Sequence, residues 1–289
     1  MPWTVIPANA GIQIFRMLVD PRFRGGDDGD QFFNGLLAPL RVRPCPAMLC
    51  RMSVEFVPAA HVREVTRRVA DARQHALDRC GAAPPHPDTS YWQALFEANA
   101  AEVLAVLPAI TLPGGFVVRY RFFEQRGRDL LVRPFVARAS TDVEGVRQLI
   151  DWHPPPDSLA SAQTGSPTQD VALLYRHFSF PHTAIGVFEY WLAMQELWAS
   201  QRWAHSHVIA SATDLSQITA GEGWEVVHPV EAYEPAVVLS DDSARLAVLL
   251  QCPLGRFEIT LQQIEIASDQ SLHYGEPVLV ASGPRGYQA

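Results

Sequence analysis

From Trp224 onward the chain is a succession of short runs that alternate or stay apolar: WEVVHPV, PAVVLS, ARLAVLLQ, RFEITLQQIEI and PVLVAS. Side chains change face at every residue of a strand, so an alternating run buries one side of a sheet and a continuous apolar run buries both. DDS at 241–243 and PLG at 253–255 carry turn chemistry between the runs. Tight turns force antiparallel neighbours, because a parallel return needs a long crossover. The C-terminal part is therefore expected to be an antiparallel meander.

The N-terminal half reads differently. In VPAAHVREVTRRVADARQHALDRCG, 57–81, residues Val62, Val65, Val69, Ala72 and Ala76 recur at three- and four-residue steps, and Gly81 is a stop. This spacing predicts an amphipathic helix with Arg63, Arg67 and Arg68 on its solvent side. After the proline-rich AAPPHPD, a second helix is expected over 89–107, broken by Pro108 and Pro113-Gly114-Gly115. FVVRYRFFEQ and LLVRPFVARA flank the tight link RGRD and predict a hairpin. STDVEGVRQLI, 140–150, reads as a capped helix, and 153–170, rich in Pro, Ser, Gly and Gln, as a long loop. Hairpins and a meander with helices to one side define the α+β class. Residues 52–289 are expected to form one α+β domain, with a weak boundary at 153–170.

The first residues stand apart. VIPANAGIQ and DPRFRGGDD resemble translated intergenic palindromic repeat DNA of the kind scattered through some bacterial genomes; the likeness covers 5–28 and says nothing about activity. The mixed stretch 29–51 shows no clean period. Residues 1–51 are expected to lie outside the core as a disordered arm, with Met48 or Met52 as an alternative start. The remainder, 52–289, carries no family signature.

Composition excludes several chemistries. All 23 basic residues are arginine. A Walker A loop, a Schiff-base lysine, the Ser-x-x-Lys acyl enzymes and the protein-kinase set all require lysine. Cys45, Cys50, Cys80 and Cys252 form no CxxC and are too few for a disulfide scaffold. No long uncharged apolar run and no signal peptide are recognised, so a cytoplasmic, membrane-free protein is expected. Residues 152–289 hold five arginines against 15 acids. That acidity argues against nucleic acid and suits a basic protein partner.

The middle of the chain is ambiguous. Across 184–211, Val187, Trp191, Met194 and Trp198 fit a helical period, while Phe188, Tyr190, Leu192 and Met194 fit a strand. VARASTDV at 136–143 resembles VIASATDL at 208–215, and carrying this offset backward superposes Phe188 on Phe116. The repeat favours a second hairpin over 185–211, followed by a short helix at 214–219 capped near Asp214. On a hairpin the aromatic residues would divide between two faces. Those of Phe188, Tyr190, Trp191, Trp198 and Trp203 on the outer face would then leave an exposed apolar patch.

Three functional readings are compatible with these features. The leading one is a non-catalytic binding protein of the inhibitor or immunity kind. It would engage a basic protein through that aromatic hairpin and the acidic residues Glu231, Glu234, Asp241 and Asp242. The second is a metal-dependent hydrolase: His205 and His207 project from one face of a strand, and Glu196 would lie nearly opposite as a further ligand. His177, His182 and Glu189 are weaker candidates, as is Cys252 with His228 or His273 as a nucleophile and base. The third is a small-molecule binder with 153–170 as its lid. No cofactor is expected.

Overall fold

The computed structural model describes residues 53–83, 89–124, 131–140, 150–151, 174–198, 207–230, 232–252 and 256–285. They form an α+β architecture: a curled eight-stranded sheet, a smaller three-stranded sheet and four helices. The expected helix at 140–150, the lid at 153–170 and the arm at 1–51 lie outside the described residues, apart from Ser140 and Ile150 at the ends of the first.

Strand β1 (Ser53–Phe56) leads into helix α1 (Ala59–Cys80). The five small apolar residues singled out by spacing are those α1 buries: Val62, Val65, Val69, Ala72 and Ala76. Gly81 closes the helix with φ of 73°, and its N–H donates to the Leu77 carbonyl at 3.0 Å. Glycine suits that left-handed position because it has no Cβ to clash. Helix α2 (Thr89–Val106) packs on α1 and presents Phe96 to the next hairpin. Strands β2 (Phe116–Glu124) and β3 (Leu131–Arg138) pair antiparallel from Phe116↔Arg138 to Phe123↔Leu131, as expected. Strand β4 (Ile150–Asp151) adds parallel to the end of β2.

The middle segment corrects the hairpin reading. Ala184–Trp198 is one continuous helix, α3. The reason lies in its surroundings. Helix α2, strand β3 and two strands of the large sheet all pack on α3, and twelve of its fifteen residues are buried. A helix covered on every side has no polar face, so its sequence carries no 3.6-residue period to set against a strand period. The duplication falls with the hairpin, since Phe116 lies in a strand and Phe188 in a helix. The aromatic patch falls too: Tyr190 and Trp191 are buried.

After α3 the chain enters β5 (His207–Ile209) and helix α4 (Ala212–Thr219). A strand does run into a helix cap here, but the cap sits three residues before Asp214. Ser211 is the N-cap, its hydroxyl accepting from the Asp214 N–H at 3.1 Å, and the Asp214 carboxylate accepts from the Ala210 N–H at 3.1 Å. These reciprocal bonds satisfy donors that a helix start leaves free.

The meander comprises β6 (Glu225–Val226), β7 (Ala236–Leu239), β8 (Ala244–Cys252), β9 (Arg256–Ile266), β10 (Leu272–Tyr274) and β11 (Val278–Arg285). The sheet runs β1-β7-β8-β9-β11-β6, with β5 on β8 and β10 on β9, all antiparallel. One face sends Val237, Leu239, Leu246, Val248, Ile264 and Ile266 into the main core around α3. The other face carries Ile209, Leu249, Ile259 and Val280, covered by Leu215 and Ile218 of α4 and by Trp224. No helix among the described residues is long and apolar enough to cross a membrane.

Candidate ligand-binding cluster

The C-terminal half of α3 gathers an aromatic and polar cluster. Trp191, Gln195 and Trp198 stand four and three residues apart and so share one side of the helix. Gln195 donates to the Tyr274 hydroxyl on β10. Tyr175, on the segment before α3, is buried close to Arg133 of β3, and the Arg133 guanidinium lies 5.1 Å from the centre of the Trp198 ring. Tyr190 stacks on Phe180 with ring centres 4.2 Å apart and donates its hydroxyl to the Gln270 carbonyl at 2.7 Å.

Gln270 holds this cluster together. It adopts φ of 67°, the left-handed region that non-glycine residues rarely enter. With its amide nitrogen turned toward the neighbouring carbonyls, it donates to Tyr175 at 2.9 Å and Phe178 at 2.8 Å. Asp269 supports the same turn by accepting from the Ser271 N–H and hydroxyl. A strained residue whose side chain and backbone are both used fixes its neighbours in place.

The polar groups of the cluster are mostly donors. Arg133 is only 9 % exposed, and its hydrogen bond among the described residues is to its neighbour's carbonyl, Val132, at 3.3 Å. No carboxylate among the described residues pairs with it. Burial pushes its pKa down to about 10, so it stays charged at neutral pH. The indole nitrogens of Trp191 and Trp198 are buried and lack an acceptor in hydrogen-bond alignment, although the Tyr274 and Tyr175 hydroxyls lie near them. Burial also pushes Tyr175 up to about 12 and raises Tyr190, keeping both hydroxyls protonated.

Of the residues singled out from sequence, Tyr190, Trp191 and Trp198 therefore meet, but inside a helix-centred cluster rather than on an outer strand face. Trp203, His205 and Glu231 lie outside the described residues. Glu234 precedes β7, Asp241 and Asp242 come after it, and all three are exposed. His207 is exposed on β5. Its pKa is lowered by partial burial and then by the Arg73 guanidinium, which places it near Glu196. Both Glu196 oxygens are engaged by that same arginine, one of them from Nε at 2.7 Å. Among the described residues no group of three His, Cys, Asp or Glu side chains is gathered as a metal would need.

The other candidates have structural partners. Glu189 is buried, accepts from the Ala109 N–H at 2.9 Å and lies 3.0 Å from His61 Nε2. His182 Nε2 meets the Ser240 carbonyl at 2.7 Å, and His177 stacks on Phe116. Cys252 is a free, half-buried thiol; His228 bonds through its backbone to Val280, and His273 is 3.0 Å from the Ser271 hydroxyl. Sequence reasoning missed Arg133, Arg73, His61, Tyr175 and Gln270. A signal existed for two partners of these residues: Glu189 and Glu196 sit in an otherwise apolar run, and a buried carboxylate demands a cation or N–H donors. Comparison of the chain with protein-family models, curated proteins and solved structures finds no match.

Proposed function

We propose that this chain is a cytoplasmic, non-catalytic binding protein for a small molecule, held by the cluster around Arg133 and the C-terminal half of α3. One observation carries the reading: a buried guanidinium whose hydrogen bond among the described residues is only to the adjacent Val132 carbonyl shares one aromatic neighbourhood with two buried indole N–H groups that have no aligned acceptor among the described residues. Buried donors are costly unless satisfied, and a ligand that brings acceptors supplies what they lack. Aromatic walls with a few convergent polar groups are the usual make-up of small-molecule sites. A thermal-shift screen of the purified chain against a metabolite library tests this. Ligands that raise the melting temperature should do so in the parent chain and fail in W191F/W198F. A hit set unaffected by that double change would move the site elsewhere.

The exposure of Glu234, Asp241 and Asp242 favours a second reading, the protein-partner one, in which the acidic segments flanking β7 meet a basic protein. Charge reversal of these three residues should then abolish salt-sensitive capture of such a partner. Capture that persists would remove the acidic surface from consideration.

A further inference from the structure

The small-molecule reading leaves the ligand's chemistry open, and the same cluster carries that too. Resting on that reading, we infer that the ligand is a carboxylate with a flat apolar body. Its carboxylate is taken by Arg133 and the neighbouring indole N–H groups, and its body lies among Trp191, Trp198, Tyr175 and Tyr274.

Charge selects an anion. Arg133 is buried and cationic, and no carboxylate among the described residues pairs with it. A buried charge without a counter-ion is costly. An anion relieves that cost; a neutral ligand does not.

Shape then selects among anions. Trp198 covers a face of the Arg133 guanidinium, which directs further recognition to its in-plane N–H groups. A guanidinium offers donors in a flat fork that matches the two oxygens of a carboxylate. The remaining walls are rings, which favour a planar apolar body over a sugar or a bare inorganic anion. The Gln270 turn holds the Tyr175 backbone and the Tyr190 hydroxyl beforehand, so less ordering is left for binding to impose.

The test uses the full chain and three named probes, benzoate, phenylacetate and 3-phenylpropionate, each beside its neutral amide, with inorganic phosphate as a further arm. Tryptophan fluorescence and thermal shift report binding. At least one acid should bind saturably, with its amide at least about tenfold weaker, the scale of a charge-assisted hydrogen bond. R133Q should weaken the acid at least about tenfold and leave the amide within about twofold. W198F keeps an aromatic ring and removes the N–H, and should weaken the acid severalfold with an unchanged circular dichroism spectrum, which covers the case in which R133Q fails to fold. Equal binding of acid and amide, or phosphate binding as tightly as the acids, would overturn the carboxylate assignment. Provided W191F/W198F still abolished that binding, the site itself would stand. If no acid, amide or phosphate bound and the library screen also gave no W191F/W198F-sensitive hit, both would fall together.

Discussion

Arg73 of α1 and Glu196 of α3 stand 123 positions apart in the chain and meet in a two-pronged ion pair, with Glu196 almost wholly buried. Neither residue could take its place alone. The carboxylate would face desolvation without the guanidinium, and the guanidinium would lose its counter-charge near His207. E196Q is expected to lower unfolding free energy by about 3 kcal/mol, because it leaves Arg73 unpaired at a mostly buried site. The double change R73M/E196M should recover much of that loss, since a hydrophobic pair of similar volume needs no charge balance. Urea denaturation of the three variants checks both statements; additive losses would show that the two residues do not act as a pair. The same pair bears on the metal reading. Elemental analysis of the purified chain should find zinc well below one per chain, because the expected ligand Glu196 already spends both oxygens on Arg73.

At the scale of elements, α3 begins under tight constraint. A Cβ on Gly186 would sit 2.1 Å from the Pro181 carbonyl oxygen, so only glycine lets the first turn of α3 lie against that backbone. G186A should destabilise the chain by about 1–3 kcal/mol, measured by denaturation, although alanine is the better helix former. The α1–α2 contact carries a pH-sensitive clasp. Glu102 of α2 accepts from Arg79 and pairs with His75, and those hydrogen bonds, Arg79 first, hold its carboxyl below the ordinary 4.5. Its folded value is the lower one, so the stabilisation is complete above 4.5 and is lost as pH falls further. The stability gap between the parent chain and E102Q should therefore shrink as pH drops below 4.5, and a constant gap would show that the clasp contributes nothing through its charge.

At the scale of the whole molecule, the main core runs from Val57 to Ile266 and joins both sheets through α3. The expectation that residues 1–51 form an arm outside the core requires a chain starting at Met48 to melt at the same temperature as the full one; a lower melting temperature would overturn it. Helix α1, the β2–β3 hairpin and the meander were legible from sequence for local reasons. Helix α1 has a face toward water and prints its period in the order of polar and apolar residues, while the strands are short apolar or alternating runs set off by turn residues. Helix α3 has no such face, and its conformation was decided by the layers that enclose it. The site divides in the same way. The tryptophans and the tyrosine of α3 stood out by abundance, but what surrounds them did not. Arg133, Tyr175 and Gln270 reach the cluster from distant segments, and a contact between distant segments leaves no local pattern. The sequence by itself determined the class, the elements marked by a wet face or by turn residues at their ends, and the absence of lysine chemistry. Only tertiary packing decided that the central segment coils, and that a buried arginine rests on its last tryptophan.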